Sequence, residues 1–477
     1  MDTLQRELNQ IDGIAQKELV DAKKISQAEL TTHYIKQIER WNPKLNAVVH
    51  TMFDEALEYA EKGINETSTF SGMPFLIKDL NAVKGHPTTS GSKMMRGHIS
   101  PQDDGFVQRY RSAGLNFLGK TNTPEFGFLP TTESSFLGIA KNPWNQDLSP
   151  GGSSGGAGAA VAAGMIPFAH GSDGGGSIRI PASSCGVFGF KPSRGQVPYS
   201  PYMNNYGVNH ALTRSVRDSA ALLDIVRGKG FGEIYPSLPQ SESMTAAAER
   251  TPGKLKIGIT PDWDGRVKVP EEIHASIKHT AKLLEELGHE VEIASPSFDF
   301  DAMADYFVKI WMVGGSVVIK HMAAMQGVHP GEDNLETLTH RVFLEGQQFS
   351  ATDYEEAKVL SEFEAKKFHA FHQKYDILVT PVLNRLPVAH GELAQKHEPK
   401  IDMMYNFTDY CSFTPIANMT GQPAMSMPLC WTADNVPVGV QFTGRLGEDA
   451  LLYQLASQIE QAQPWFHRYQ QLQSNFA

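Results

Sequence analysis

Cysteine is scarce in this 477-residue chain: Cys185, Cys411 and Cys430 are the only three, and no two stand in a CxxC pair. That excludes a disulfide framework and a cysteine-ligated zinc cluster, and it fits a reducing compartment. Clustered basic residues are also lacking. Lys and Arg number 42 against 53 Asp and Glu, a formal net charge of −11, which argues against nucleic acid as a partner. The run from Gly155 to Phe168, the longest apolar-leaning stretch, is rich in small residues and too short to span a bilayer, so no membrane partner is expected. Met1 to Glu7 lacks the basic start and apolar stretch of a signal peptide, and the expected location is cytoplasmic. The 17 histidines include no HExxH pair, and no repeat is evident.

What is present is the texture of a large α/β enzyme. Length alone suggests two or three domains, but the pattern reads as a single one covering 1–477. Residues 1–66 form a helical layer: Ser26 and Glu29 have capping-box spacing, Leu30, Tyr34, Ile38 and Trp41 recur on one face, and Asn42-Pro43 is expected to stop that helix. A second helix, Phe53 to Lys62, ends at Gly63. In the core at 67–227, Met73 to Ile77 reads as a buried strand delivering Lys78, and Asn116 to Lys120 as another. Residues 228–253, rich in Gly, Pro, Ser and Glu, read as a surface connection. Residues 254–477 complete the sheet: a strand at 256–259, a helix opened by Pro270, a strand around Val291 and Ile293, a helical excursion over about 300–372, and a strand at 376–381. Alternating strands and helices predict a mixed central β-sheet covered by helices on both faces.

Three features could carry chemistry. Lys78 ends an apolar run, where desolvation would lower its pKa, although a surface lysine in a strand-helix loop has the same local sequence. Gly151 to Gly158 enters an Ala-rich helix and matches G-x-S-x-G with either Ser153 or Ser154 central, a loose pattern in such a stretch. Gly174-Gly175-Gly176 before Ser177 offers unhindered N–H groups around one hydroxyl, as an oxyanion hole needs, or simply a glycine-rich turn.

Together, a strand-end lysine, Gly151-Gly152-Ser153-Ser154-Gly155-Gly156 and Gly175-Gly176-Ser177-Ile178-Arg179 resemble the amidase signature family. The resemblance continues through Cys185 to Pro192, Gly119 to Asn122, Asn142 to Asn145, Asn418 to Ala424 and Pro437 to Gln441, nearly the whole chain. It implies a hydrolase of carboxylic amides with Ser177 as nucleophile, Ser153, entered through a cis peptide bond, as proton bridge, and neutral Lys78 as base. It further implies an oxyanion hole from the N–H groups of Gly174, Gly175, Gly176 and Ser177, with Ser154, Asp173 and Arg179 in support. No cofactor and no metal is implied. Asp79 should point away from the site, and Cys185 is expected to be a small buried hydrophobe.

The run from His170 to Ser183 and the closing Gln463-Pro464-Trp465 look most like the branch that hydrolyses the 6-aminohexanoate cyclic dimer, which implies a roomy apolar pocket for small cyclic or linear amides. Where that branch places a substrate-contacting cysteine, this chain offers Ile310 or Trp311. Phe126, Phe128 and Met312 are further candidate pocket walls. The expected partner is a small-molecule amide, and a homodimer is compatible with the sequence. Two alternatives stay open: a glutaminase-type subunit of an amidotransferase, and an α/β-hydrolase esterase using Ser153 or Ser154.

Overall fold

A computed structural model of the chain describes residues 8–63, 68–198, 203–233, 237–239, 242–393 and 406–475. Eleven strands form one mixed sheet, and two more, β4 (Glu133–Ser134) and β5 (Gly138–Ile139), make a small separate ribbon. The sheet strands are β1 (Val48–Thr51), β2 (Pro74–Lys78), β3 (Asn116–Thr121), β6 (Phe168–Asp173), β7 (Phe188–Lys191), β8 (Val208–Thr213), β9 (Lys256–Ile259), β10 (Glu290–Ile293), β11 (Ile377–Pro381), β12 (Ala424–Trp431) and β13 (Pro437–Thr443). Their order is β1-β3-β2-β6-β8-β7-β12-β13-β11-β9-β10. Every residue of β2, β3, β7, β11 and β13 is buried, as expected of strands covered on both faces. At the edge, β10 leaves Ile293 exposed.

β2, β3 and β6 run parallel, so their C-terminal ends meet at one edge of the sheet. The residues following those ends are brought together there, which is where open α/β sheets form their crevices. The alanine-rich helix Gly155–Ala162 packs across β6, β2 and β8, and all of its residues are buried. One apolar core runs from Leu8 and the first helices through β2 and β3 to Leu472.

The capping box at Ser26 and Glu29 is formed, and Leu30, Tyr34, Ile38 and Trp41 face the core. The helix does not stop at Asn42-Pro43 but runs over Gln27–Leu45, with Pro43 in its last turn. A proline there removes only one donor. The stop comes at Asn46, whose φ of 47° puts it in the left-handed region, where an asparagine side chain is tolerated. Within 228–253, the helix Met244–Ala248 buries Met244, Ala247 and Ala248 in the main core, while Phe231 is exposed.

The helical excursion comprises Phe300–Gln326, Thr337–Gly346 and Ala351–Phe371. By length and composition the first of these could cross a bilayer, yet Met303, Val308, Ile310, Met312 and Ile319 are buried against protein. It is this helix that closes over the site.

Candidate active site

Lys78 is the last residue of β2 and is fully buried. Its Nζ lies 2.7 Å from Ser153 Oγ and 3.1 Å from Ser172 Oγ. Burial pushes its pKa down to about 7, with the nearby Asp173 carboxylate opposing the shift. Asp79 does not share this pocket. It pairs with Lys120 at 2.8 Å and accepts from the Thr89 hydroxyl. The strand alternation that turns Lys78 inward turns its neighbour to the other side.

Ser153 follows a cis Gly152–Ser153 peptide bond in the loop before the alanine-rich helix. Ser154 ties this loop to the next one. Its hydroxyl donates to the Ser172 carbonyl and accepts from the Ser172 N–H, both at 3.3 Å, and its own N–H donates to the Ser177 carbonyl at 3.2 Å.

The loop carrying Ser177 leaves the end of β6 and is shaped by a buried ion pair. Arg179 donates to both oxygens of Asp173, Nη2 to Oδ1 at 2.8 Å and Nε to Oδ2 at 2.9 Å. Burial disfavours the Asp173 carboxylate, but the charge and hydrogen bonds of Arg179 outweigh it and hold the group below the usual carboxylate range. Arg179 also donates to the Thr414 carbonyl, Gln441 and Asn418, which locks the loop to the segments around β13.

Of the four N–H groups read as an oxyanion hole, Gly176 is already engaged: it donates to Asp173 Oδ1 at 2.8 Å. Among the described residues, the N–H groups of Gly174, Gly175 and Ser177 have no hydrogen-bond acceptor. No hydrogen bond joins the Ser153 and Ser177 hydroxyls; the two serines share the wall of a cavity of about 450 Å³.

Trp311, Phe126, Met203 and Met322 line the apolar side of that cavity. Phe128 lines a second, smaller space beside Gly152, Ser177 and Phe307, and Trp311 borders both. Phe307 and Trp311 stack at 5.1 Å above the glycine loop. Ile310 is a correction to the sequence reading. It faces the opposite way into a core cluster with Met303, Phe298 and Phe413, because successive helix positions diverge by about 100°. Met312 is likewise core.

Two site residues were missed. Ser172 contacts Lys78 Nζ, and His170 Nδ1 accepts the Lys78 backbone N–H at 3.3 Å. Period-two alternation along Phe168–Asp173 puts His170 and Ser172 on one strand face, and that signal was available in the sequence. Burial drives the pKa of His170 down to about 3, so it is neutral. Since Nδ1 accepts, the proton sits on Nε2, which donates to Asn209 Oδ1 at 3.2 Å. Cys185 is fully buried with its thiol pKa raised by desolvation, a packing residue.

Comparison with known proteins gives the family. The amidase family model matches residues 29–453. A 6-aminohexanoate-cyclic-dimer hydrolase of Paenarthrobacter ureafaciens is 36% identical over 97% of this chain and 96% of that protein. A solved 6-aminohexanoate cyclic dimer hydrolase superposes with a TM-score of 0.90 at 34% identity, covering 97% of this chain and 99% of that one. A bacterial aryl acylamidase of the amidase signature enzymes follows at a TM-score of 0.86 and 28% identity, covering 96% and 97%. With the family model over most of the chain and such relatives over nearly all of it, the chain belongs to the amidase signature family and is a hydrolase of carbon–nitrogen bonds other than peptide bonds.

Proposed function

We propose that the protein hydrolyses small linear or cyclic carboxylic amides through an acyl-enzyme on Ser177. The observation that carries this reading is Lys78: fully buried, 2.7 Å from Ser153 Oγ, with its pKa down at about 7. A lysine so placed is available as a neutral amine near pH 7 and can take a proton from Ser153. Ser153 in turn takes the proton of Ser177 as the Ser177 oxygen attacks the amide carbon. The tetrahedral oxyanion is met by the N–H groups of Gly174, Gly175 and Ser177, while Gly176 serves the loop through Asp173. Returning the same proton to the leaving nitrogen releases the amine, and water then cleaves the acyl-enzyme by the reverse relay. The contact that Ser153 and Ser177 do not make here is expected to form when substrate fills the cavity, as catalytic hydrogen bonds often tighten only in the complex.

The relatives named for a cyclic dimer support a cyclic or linear aminoacyl amide as substrate, and Trp311 bounds the pocket on its apolar side. The same reading takes 1–477 as one domain, supported by the core continuous from Leu8 to Leu472, and a cytoplasmic location, supported by three free cysteines.

The test is a panel of aliphatic, aryl and cyclic amides, aminohexanoate oligomers and glutamine, with wild type and Ser177→Ala, Ser153→Ala and Lys78→Ala. The expected result is loss of turnover in all three folded variants and labelling of Ser177 by a fluorophosphonate. Full activity in Ser177→Ala would overturn the mechanism, and glutamine as the sole substrate would redirect it to ammonia transfer.

A further inference from the structure

The cavity that holds Ser153 and Ser177 has a polar end that the relay does not use, walled by Asn81, Asp104, Phe106 and Asn209. Asp104 precedes the helix Gly105–Ser112, yet its side chain does not cap that helix. Instead Oδ2 accepts from Asn81 Nδ2 and from the Ala82 N–H, both at 3.0 Å, which pins the carboxylate in place. Oδ1 accepts nothing within the described residues.

The carboxylate also has no salt-bridge partner there. The charges around it are spoken for: Asp103 next door pairs with Arg111 at 2.7 Å, and Lys120 pairs with Asp79 at 2.8 Å. Burial raises the pKa of Asp104, with the hydrogen bonds from Asn81 and Ala82 and the nearby Lys120 ammonium opposing the shift. Asp104 is half-buried and lines the cavity, so a charged group seated there can engage its free oxygen.

Asn209 fits the same picture. Its Oδ1 is fixed by His170 Nε2–H, so its amide orientation is set by a hydrogen bond rather than left free. His170 is itself held by the Lys78 N–H and stacks on Phe106 at 4.6 Å. Asn209 on β8 is thus tied through His170 to β2 and β6, which carry Lys78 and Ser172, while Asn81 and Asp104 sit in the loops beside them.

We propose that Asp104 is the anchor of a subsite for a primary ammonium group on the substrate, placed at a distance from the scissile amide. The preferred substrates are then amides of amino acids whose free amine lies several bonds away from the carbonyl. An ammonium seated there supplies the counter-charge to Oδ1 and holds the amide carbonyl against the Gly174–Ser177 loop. A terminal carboxylate would be repelled, and a terminal methyl would leave Asp104 unpaired. This assignment rests on the Ser177 reading of the site.

The experiment compares kcat/KM for anilides of ω-amino acids, of the matched unsubstituted fatty acids and of the matched monoacids of dicarboxylic acids, over a range of chain lengths. In wild type the ammonium series should exceed the methyl series at one chain length by about ten- to a hundredfold, the worth of a hydrogen bond to a charged group. In Asp104→Asn the ratio of the two series should collapse towards one, mainly through KM. A wild-type enzyme that prefers the methyl or carboxylate series overturns the proposal, as does a ratio unchanged in Asp104→Asn. If Asp104→Asn fails to fold, the wild-type series alone decides. Fluorophosphonate labelling of wild type separates the two readings: no label on Ser177 sinks the acyl-enzyme, whereas a labelled Ser177 without ammonium preference sinks only the subsite.

Discussion

The two walls of the site are made in opposite ways. Behind the serines, the glycine loops are pressed against backbone at Gly152 and against the hydrogen-bonded Thr414 at Gly176. A Cβ on Gly152 would come within 2.3 Å of the Thr131 carbonyl oxygen, and one on Gly176, at a φ of +127°, within 2.2 Å of Thr414 Oγ1. In front, the glycines face side chains: a Cβ on Gly174 would meet the Trp311 ring at 3.0 Å, and one on Gly175 the Phe307 ring at 3.0 Å. The rear wall is backbone, a hydrogen-bonded threonine and a buried ion pair, so it admits almost no change. The front wall is aromatic side chains on one helix, which can be exchanged without moving the relay. On the proposed mechanism, the chemistry and the specificity therefore sit on separable structures.

That contrast can be attacked from either side. The largest effect is expected at the nucleophile. Ser177→Ala should lower kcat by about 10⁴-fold or more with the fold intact, read as steady-state turnover alongside a circular dichroism melt. Next comes the rear wall. Arg179→Met leaves Asp173 buried and unpaired and should cost roughly 3–5 kcal/mol of stability, seen as a lowered melting temperature. Gly152→Ala should act likewise, by several degrees or failure to accumulate as folded protein, because the carbonyl it meets cannot withdraw.

A pH profile sharpens the comparison. Lys78 must be neutral to accept a proton, and its pKa sits at about 7. As pH falls below that value the ammonium form grows, so kcat/KM should drop about tenfold per unit on the acid side and level off above. A limb that stays flat down to pH 5 would remove Lys78 from the relay. The smallest effect belongs to the front wall. Trp311→Ala should change the ratio of kcat/KM between bulky and small amides by about tenfold, with the acid limb unmoved. A shift of that limb would show that the two walls are coupled after all.

Much of this was legible in the chain. Local patterns located the strands ending at Lys78 and near Thr121, the helix Phe53–Lys62 and its Gly63 stop, and the β9 strand, because burial period and end residues act over a few positions. The triad candidates were legible because short loops of glycine and serine keep their meaning in sequence. Pro43 misled, since the cost of a proline depends on whether the next turn continues. Ile310 misled because two adjacent helix residues cannot be told apart until the helix is docked.

The amino-acid sequence by itself pointed to Lys78, Ser153 and Ser177 as the candidate catalytic set, to the class of fold and to two glycine-rich loops. Only the tertiary structure decided that Asp173 claims the Gly176 N–H and that Ser172 and His170 brace Lys78. It alone decided that Trp311 rather than Ile310 faces the cavity, and that Asp104 lines the same cavity as the serines with one oxygen unengaged. These are relations between residues far apart in the chain. Their free energies come from burial and from the exhaustion of hydrogen-bond partners, and neither exists until the sheet is assembled.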